Sequence, residues 1–262
     1  MASTVAEAAP GWVRRLNLLW LHRLLTSSIG RKFVMGITGL GLCGFLVIHL
    51  AGNLLLYVGP ERYDHYAHTL HQQEWLPLAE AGLFLFFLLH VYLAFVTTRA
   101  NRQARRQAYA VKVSKRQDLA LSQPPHNWMF LSGMIVLGFL ILHLIDMKFA
   151  ARTDVDYTGK GPYAVAIAVL STPLSASVYM LGTVVLGFHL CHGFASAFQS
   201  LGLNHPKYTP LIKLVSWLFA LVIAAGFFSL PLATWSIPEM RARAARSTVA
   251  PAETHPTPHQ QR

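Results

Sequence analysis

Five histidines lie inside long apolar segments of the chain, and they are its most informative residues. They are His49, His90, His143, His189 and His192. An ionisable side chain within a bilayer is costly and is usually functional, and neutral imidazole is a common metal ligand. A single such histidine is more often a satisfied core residue. Four separate apolar segments that each carry one indicate a shared purpose.

The elements that must position these histidines are predicted to be five membrane-spanning helices. The 262-residue chain is 53% hydrophobic and only 13% charged, whereas soluble globular proteins carry about 25% charged residues. Lipid cannot satisfy open strand edges, so an all-α fold is expected. Five apolar runs are near the roughly 20 residues that a bilayer core requires: Phe33–Val58, Leu78–Thr98, Trp128–Phe149, Leu174–Gln199 and Leu211–Thr234.

The segments around these spans are short. Pro162–Ser171 is predicted to be a short helix at the membrane interface. Residues 12–25 mix basic and apolar side chains, which suits a helix on an anionic membrane face. We expect no cleavable signal, because no apolar stretch of the right length follows the polar N-terminus. The predicted organisation is a cytoplasmic segment at 1–32, a transmembrane domain at 33–235 and a disordered tail at 236–262.

The distribution of positive charge indicates the orientation in the inner membrane. The positive-inside rule places the N-terminus and the connection between spans 2 and 3 in the cytoplasm, and five spans then place the C-terminus outside. The net charge of +11 therefore reflects topology and not nucleic-acid binding. The basic residues concerned are Arg14, Arg15, Arg23, Arg31 and Lys32 before span 1, and Arg99, Arg102, Arg105, Arg106, Lys112, Lys115 and Arg116 after span 2.

In this topology four of the histidines fall at two depths. At 1.5 Å per residue, His90 and His189 lie about 12 and 15 Å from the cytoplasmic ends of their spans, and His49 and His143 lie about 24 and 22 Å from theirs. Two imidazoles that face each other at one depth suit a haem iron with both axial positions filled. Such a haem transfers electrons and leaves no position open for oxygen. The spacing predicts two stacked haems, held by His90 with His189 and by His49 with His143.

His192 is an alternative to His189 as a ligand. It lies three residues later in span 4 and hence on a similar face of the helix. Gly193 lies four residues after His189, so a small residue falls on the same stripe and favours His189. Spacing alone leaves both histidines open.

The motifs around these histidines resemble a known family. The chain resembles the cytochrome b subunits of succinate:quinone oxidoreductases, in the five-helix, two-haem group that also includes fumarate reductases. The similarity covers about residues 27–235. The segments that carry it are 27–32 (SSIGRK), 35–40 (MGITGL), 49–53 (HLAGN), 88–92 (LLHVY), His143 fourteen residues after Met129, and 189–202 (HLCHGFASAFQSLG).

The resemblance implies that His90 and His189 bind the haem b nearer the iron–sulfur subunit, and that His49 and His143 bind the outer haem b. It implies a flavoprotein and an iron–sulfur protein as partners on the cytoplasmic face, and a membrane quinone, menaquinone, as the substrate. The chain itself has no flavin-binding motif and no cysteine array, so it would be the membrane subunit of a succinate dehydrogenase. Some fumarate-reducing relatives carry a glutamate at the position of Gly187, and its absence favours succinate oxidation.

Two groups of polar residues are candidates for contacts with these ligands. Haem propionates need hydrogen-bond donors near the cytoplasmic edge, where the chain has Arg31, Lys32, His126 and Trp128. A quinone beside the outer haem needs groups that hydrogen-bond and protonate it, and the outer loop has Tyr63, His65, His68, His71 and Glu74. An ordinary polar interface loop is the alternative for the second group.

Other functions are less consistent with the pattern. A di-haem anchor of a hydrogenase or formate dehydrogenase is the main alternative, but such chains place their histidines differently over the spans. A haem-free anchor remains open. A transporter would need carboxylates inside the spans, which are almost absent: Asp146 lies near an end of its span, and Glu80 lies at a span start. Ligands at two depths would not converge on one zinc or copper ion, and Cys43 and Cys191 lie in apolar runs that disfavour a disulfide or a cluster site.

Overall fold

The computed structural model describes residues 10–104 and 127–247, and the regular structure in these ranges is helical. Five of the described helices are long and apolar enough to cross a membrane, which confirms the prediction of an all-α fold with five spans. In chain order the helices are α1 Gly11–Arg15, α2 Leu19–Thr26, α3 Ser28–Asn53, α4 Pro60–His71, α5 Leu76–Gln103, α6 Asn127–His143, α7 Pro162–Ser171, α8 Pro173–Ser200, α9 Thr209–Ser236 and α10 Pro238–Ser247.

The candidate spans are α3, α5, α6, α8 and α9, and two of them continue as other helix types. The 3₁₀-helix Leu54–Tyr57 follows α3, and the π-helical turn Leu144–Lys148 follows α6 directly after His143. Several helices run a few residues beyond the predicted apolar runs, because polar residues at their ends continue the helical hydrogen bonding.

The chain forms two compact units, each made of three segments. The first unit comprises the described residues within Met1–His49, Glu74–Val136 and Val185–Ala224, and the second comprises those within Leu50–Gln73, Leu137–Val184 and Ala225–Arg262.

Helices α8 and α9 pack closely in the first unit. A Cβ atom added to Gly187 would lie 2.7 Å from the Cβ of Ala224, so a larger side chain at position 187 would force the helices apart. The buried Ser216 hydroxyl on α9 donates a 2.7 Å hydrogen bond to the carbonyl of Cys191 on α8. Small residues and interhelical hydrogen bonds of this kind stabilise helix pairs in lipid.

The second unit is built around α7. The predicted helix Pro162–Ser171 is present with those bounds, but six of its ten residues are buried, so it is a core element and does not present one apolar face to a surface. Tyr163 is fully buried. Its backbone N–H donates to Asp64 Oδ1 of α4 at 2.6 Å, and its hydroxyl donates to the Met240 carbonyl of α10 at 3.4 Å.

Helix α10 corrects the prediction of a disordered tail from residue 236. Residues 238–247 are helical, with Met240 and Ala244 buried. Arg241 donates from Nη1 to the carbonyls of Thr234 and Trp235 at 2.6 and 2.7 Å, which satisfies carbonyls left unpaired at the end of α9. The rest of the predicted tail, 248–262, lies outside the described residues.

The N-terminal segment also differs from its prediction. Instead of one helix over residues 12–25, α1 and α2 are separated by a turn in which Asn17 has a φ of 54°. Asparagine tolerates this left-handed conformation better than most residues. The placement of the N-terminal segment on a membrane face stays a prediction. The orientation of the chain also stays a prediction, and most of the connection between spans 2 and 3 (105–126) lies outside the described residues.

Candidate functional site

The structure brings His90 and His189 together in the first unit. His90 lies on α5 and His189 on α8, both are partly buried, and their imidazoles are within electrostatic range of each other. These are two of the histidines predicted to share a depth. His192, the alternative to His189, lies one turn further along α8 and is also within electrostatic range of His189.

A hydroxyl group of a neighbouring span contacts each of these two imidazoles. Thr38 Oγ1 on α3 lies 3.4 Å from His90 Nδ1, and Ser132 Oγ on α6 lies 3.2 Å from His189 Nδ1. Both hydroxyls belong to buried residues. In each case Nδ1 is the engaged nitrogen, which leaves Nε2 as the ring nitrogen available to a metal.

The glycine that follows each hydroxyl residue lies against the same imidazole. A Cβ atom added to Gly39 would lie 3.3 Å from His90 Cε1, and one added to Gly133 would lie 3.3 Å from His189 Cε1. Any larger residue would push the ring by a few tenths of an ångström. The two imidazoles therefore have the same local environment, made by a hydroxyl residue and a glycine at consecutive positions of another span.

His49 and His143 each pack against aromatic rings. The ring of His49, at the end of the first segment of the first unit, stacks on Phe45 with centroids 5.1 Å apart. The ring of His143, in the second unit, lies 6.2 Å from that of Phe139 and 6.0 Å from that of Tyr179. Their pairing across an outer haem stays a prediction.

A buried polar cluster beside His143 was not expected from the sequence. Asp146, in the π-helical turn, is 5% exposed and accepts a 2.9 Å hydrogen bond from the Tyr179 hydroxyl. Arg152 Nη1 lies 3.8 Å from Asp146 Oδ2 and donates to Ser175 Oγ at 2.6 Å. Hydrogen bonds to Asp154 raise the pKa of Arg152, so its guanidinium stays charged.

The only hint of this cluster in the sequence is the position of Asp146, three residues after His143. Sequence reasoning set Asp146 aside because it lies near the end of its span. Tyr179, buried in α8 of the same unit, makes the link, since its ring contacts His143 while its hydroxyl holds Asp146. The cluster places an acid and a phenol next to a predicted haem ligand.

The residues predicted to bind propionates differ in their surroundings. Arg31 is partly buried, donates from Nη2 to the Thr26 carbonyl, and has its Nε buried with no hydrogen-bond partner among the described residues. A buried unpaired guanidinium N–H is costly, so an anionic acceptor fits there. Lys32 and Trp128 are exposed, and His126 lies outside the described residues.

The residues predicted to bind a quinone are not alike either. Tyr63 packs edge to face on Tyr163 with centroids 6.1 Å apart and donates to Asn53 Oδ1 at 3.4 Å. Burial, and next the charge of Asp64, raise the pKa of Tyr63 to about 12, so the phenol stays protonated. The remaining members are exposed: His65, His68, His71 and Glu74.

Comparison with known proteins supports the relationship that the motifs indicate. The chain is similar to the succinate dehydrogenase cytochrome b558 subunit of Bacillus subtilis (strain 168), with 24% identity over 199 residues that cover 72% of this chain and 85% of that protein. No family model matches the chain, and no solved structure matches it. These findings support a multi-pass membrane protein that is similar to a succinate dehydrogenase cytochrome b subunit.

Proposed function

We propose that the chain is the membrane anchor and di-haem cytochrome b subunit of a succinate:quinone oxidoreductase. The observation that carries the proposal is the matched environment of His90 and His189, two histidines from different spans whose Nδ1 atoms are both engaged by hydroxyls. A chain similar over most of its length to a succinate dehydrogenase cytochrome b subunit would use this pair to hold iron.

The side chains of the first unit fit an inner haem b. His90 and His189 would hold its iron through Nε2, and Arg31, with its buried unpaired Nε, would donate a hydrogen bond to a propionate. His49 and His143 would hold an outer haem b, and their rings pack against aromatic side chains. A haem with two imidazole ligands supplies a one-electron carrier that does not activate oxygen.

The proposed orientation implies a direction of electron flow. A flavoprotein and an iron–sulfur subunit would dock on the cytoplasmic face, where basic residues of the N-terminal segment and of the connection between spans 2 and 3 lie in the proposed orientation. His90 and His189 would hold the haem nearer the iron–sulfur subunit, His49 and His143 would hold the haem nearer the menaquinone, and the two haems would supply one-electron transfer between these partners. Gly187, packed against Ala224, leaves no room for the glutamate of fumarate-reducing relatives, which favours succinate oxidation.

Reduction of the quinone would take place on the outer side, where it also takes up protons. The exposed histidines of α4 (His65, His68, His71) and Glu74 are candidates to deliver them. Asp146 is a further candidate, because it is buried beside the ring that contacts His143. Tyr63 instead packs inside the second unit, and its protonated hydroxyl is already used.

In intact cells, an uncoupler is expected to slow succinate oxidation by menaquinone. Electrons that move from the cytoplasmic to the outer side travel toward the positive side of an energised membrane, which gains about 2.3 kcal/mol per electron per 100 mV. Collapse of the potential removes this driving force. The measurement is succinate-dependent respiration with and without uncoupler.

Two controls accompany this experiment. Activity of the detergent-solubilised complex has no potential across it and should not respond to the uncoupler. A strain that lacks this chain should lose membrane-bound succinate oxidation. Equal rates with and without uncoupler in intact cells would place quinone protonation on the cytoplasmic side, and normal succinate oxidation without the chain would contradict the proposed function itself.

A further inference from the structure

We propose that Thr38 and Ser132 are positioning residues that hold the imidazoles of His90 and His189 as Nδ1–H tautomers, with Nε2 directed to the iron. This inference rests on the proposed function and adds two residues to the inner haem site. The evidence for it is the set of hydrogen bonds that each hydroxyl makes, together with the glycine that follows each hydroxyl residue.

The hydroxyl hydrogen of Thr38 is already used within its own helix. Thr38 Oγ1 donates to the carbonyl of Val34 at 2.9 Å, with that of Met35 at 3.1 Å. A hydroxyl has one hydrogen and two lone pairs. With the hydroxyl hydrogen on its own helix, a lone pair of Thr38 Oγ1 faces His90 Nδ1 at 3.4 Å, and the Met35 carbonyl is a second acceptor beside this imidazole. Both neighbours favour a proton on His90 Nδ1.

Ser132 repeats this arrangement on another pair of spans. Its hydroxyl donates to the Met129 carbonyl at 3.1 Å, which leaves a lone pair to accept from His189 Nδ1 at 3.2 Å in the proposed tautomer. Serine and threonine often donate back to their own helix without any further role. Here both hydroxyls have a second contact, because each also lies within hydrogen-bond distance of Nδ1 of a predicted haem ligand in another span.

The glycines restrict how each ring can turn. A Cβ atom at Gly39 or Gly133 would lie 3.3 Å from Cε1 of His90 or His189, so each ring lies close to a helix surface, and Cε1 lies between the two ring nitrogens. With Nδ1 held by the hydroxyl and Cε1 packed against backbone, rotation about the Cβ–Cγ bond is limited on one side. The remaining nitrogen, Nε2, keeps a fixed direction.

Such an arrangement changes the electronic properties of the ligand as well as its position. A metal-bound imidazole that donates its other N–H becomes a more basic ligand, and a more basic ligand favours the ferric state. Loss of either hydroxyl should therefore raise the midpoint potential of the inner haem. A purely structural hydroxyl would leave that potential unchanged.

The test compares Thr38→Val and Ser132→Ala in the full complex, with haem content, redox titration and low-temperature EPR as readouts. Both variants should keep two haems per chain, raise the midpoint potential of one haem and shift its highest g value. Thr38→Ser and Ser132→Thr restore a hydroxyl and should return both properties to those of the unmodified chain.

Thr183→Val is the matched control, because Thr183 is buried and donates to the Met180 carbonyl at 2.9 Å in the second unit. It should leave the inner haem unchanged. A raised inner-haem potential in Thr38→Val and Ser132→Ala, with an unchanged potential in Thr38→Ser and Thr183→Val, would support the inference. Loss of the inner haem in Thr38→Val, Thr38→Ser and Thr183→Val alike would overturn it, as would an unchanged or lowered potential in Thr38→Val and Ser132→Ala.

These outcomes are separate from failure of the proposed function. An unmodified chain without a b-type haem spectrum would refute the function. An unmodified chain with two haems, whose inner potential and EPR signal do not respond to loss of either hydroxyl, would refute only the role of Thr38 and Ser132.

Discussion

Replacement of His189 by alanine is expected to remove the inner haem while the outer haem stays bound. Alanine offers no ligand, and the imidazole of His90 alone leaves one axial position of the iron unfilled. His192 is not expected to substitute, because it lies roughly 4.5 Å further along the helix axis. The pyridine haemochrome assay of the purified complex should fall from two haems per chain to one.

His192→Asn is the matched variant, since it changes a histidine of the same helix one turn away. It should retain both haems and their spectra. Addition of haem together with free imidazole to His189→Ala should restore a low-spin signal, because imidazole replaces the missing side chain. Equal haem loss in the two variants would contradict the assignment of His189 as the ligand.

The second large effect is expected from Tyr163→Ala, which should destabilise the protein by about 3–5 kcal/mol, as for other large aromatic truncations in cores. Tyr163 is 0% exposed, and its ring packs edge to face on Tyr63. Truncation would leave a cavity where α4, α7 and α10 pack together. The midpoint of thermal unfolding in detergent should drop accordingly.

Tyr163→Phe provides the control for this variant. It keeps the ring and removes only the long hydroxyl hydrogen bond to Met240, which is worth about 1 kcal/mol or less. Its unfolding midpoint should stay near that of the unmodified protein. An alanine variant as stable as the phenylalanine variant would show that α7 does not form the core of this unit.

The sequence predicts the helices well where they depend on neighbouring residues alone. Hydropathy and length identify the five spans, because a bilayer demands about 20 apolar residues from each. Pro162 and Pro173 bracket α7, since proline favours the first turn of a helix and disrupts its interior. The burial of α7 could not be predicted from the sequence, because it depends on the packing of α4 and α10 against this helix.

Helix α10 shows the limit of composition. Residues 238–247 are rich in arginine and alanine, which indicates a polar tail when each residue is counted alone. The two residues that the fold buries, Met240 and Ala244, are four apart and so share one face. That these two residues are enough to hold the helix in place is seen only when it packs against the rest of the second unit.

Some features of the candidate site could likewise be predicted from the sequence, and others could not. Distance along each span predicted that His90 and His189 share a depth, because helical rise converts sequence into height. The contacts of Thr38 and Ser132 depend on the register between helices, which no local pattern contains. Asp146 was set aside for a similar reason, since its partners Tyr179 and Arg152 are distant in sequence or lie beyond the span.

The central claim is that the chain holds two haems through four histidines, and the haem-to-chain ratio tests it most directly. A pyridine haemochrome assay on the purified complex, with the chain quantified by amino-acid analysis, should give two protohaems per chain, both low-spin by EPR. A ratio near one or zero would contradict the account.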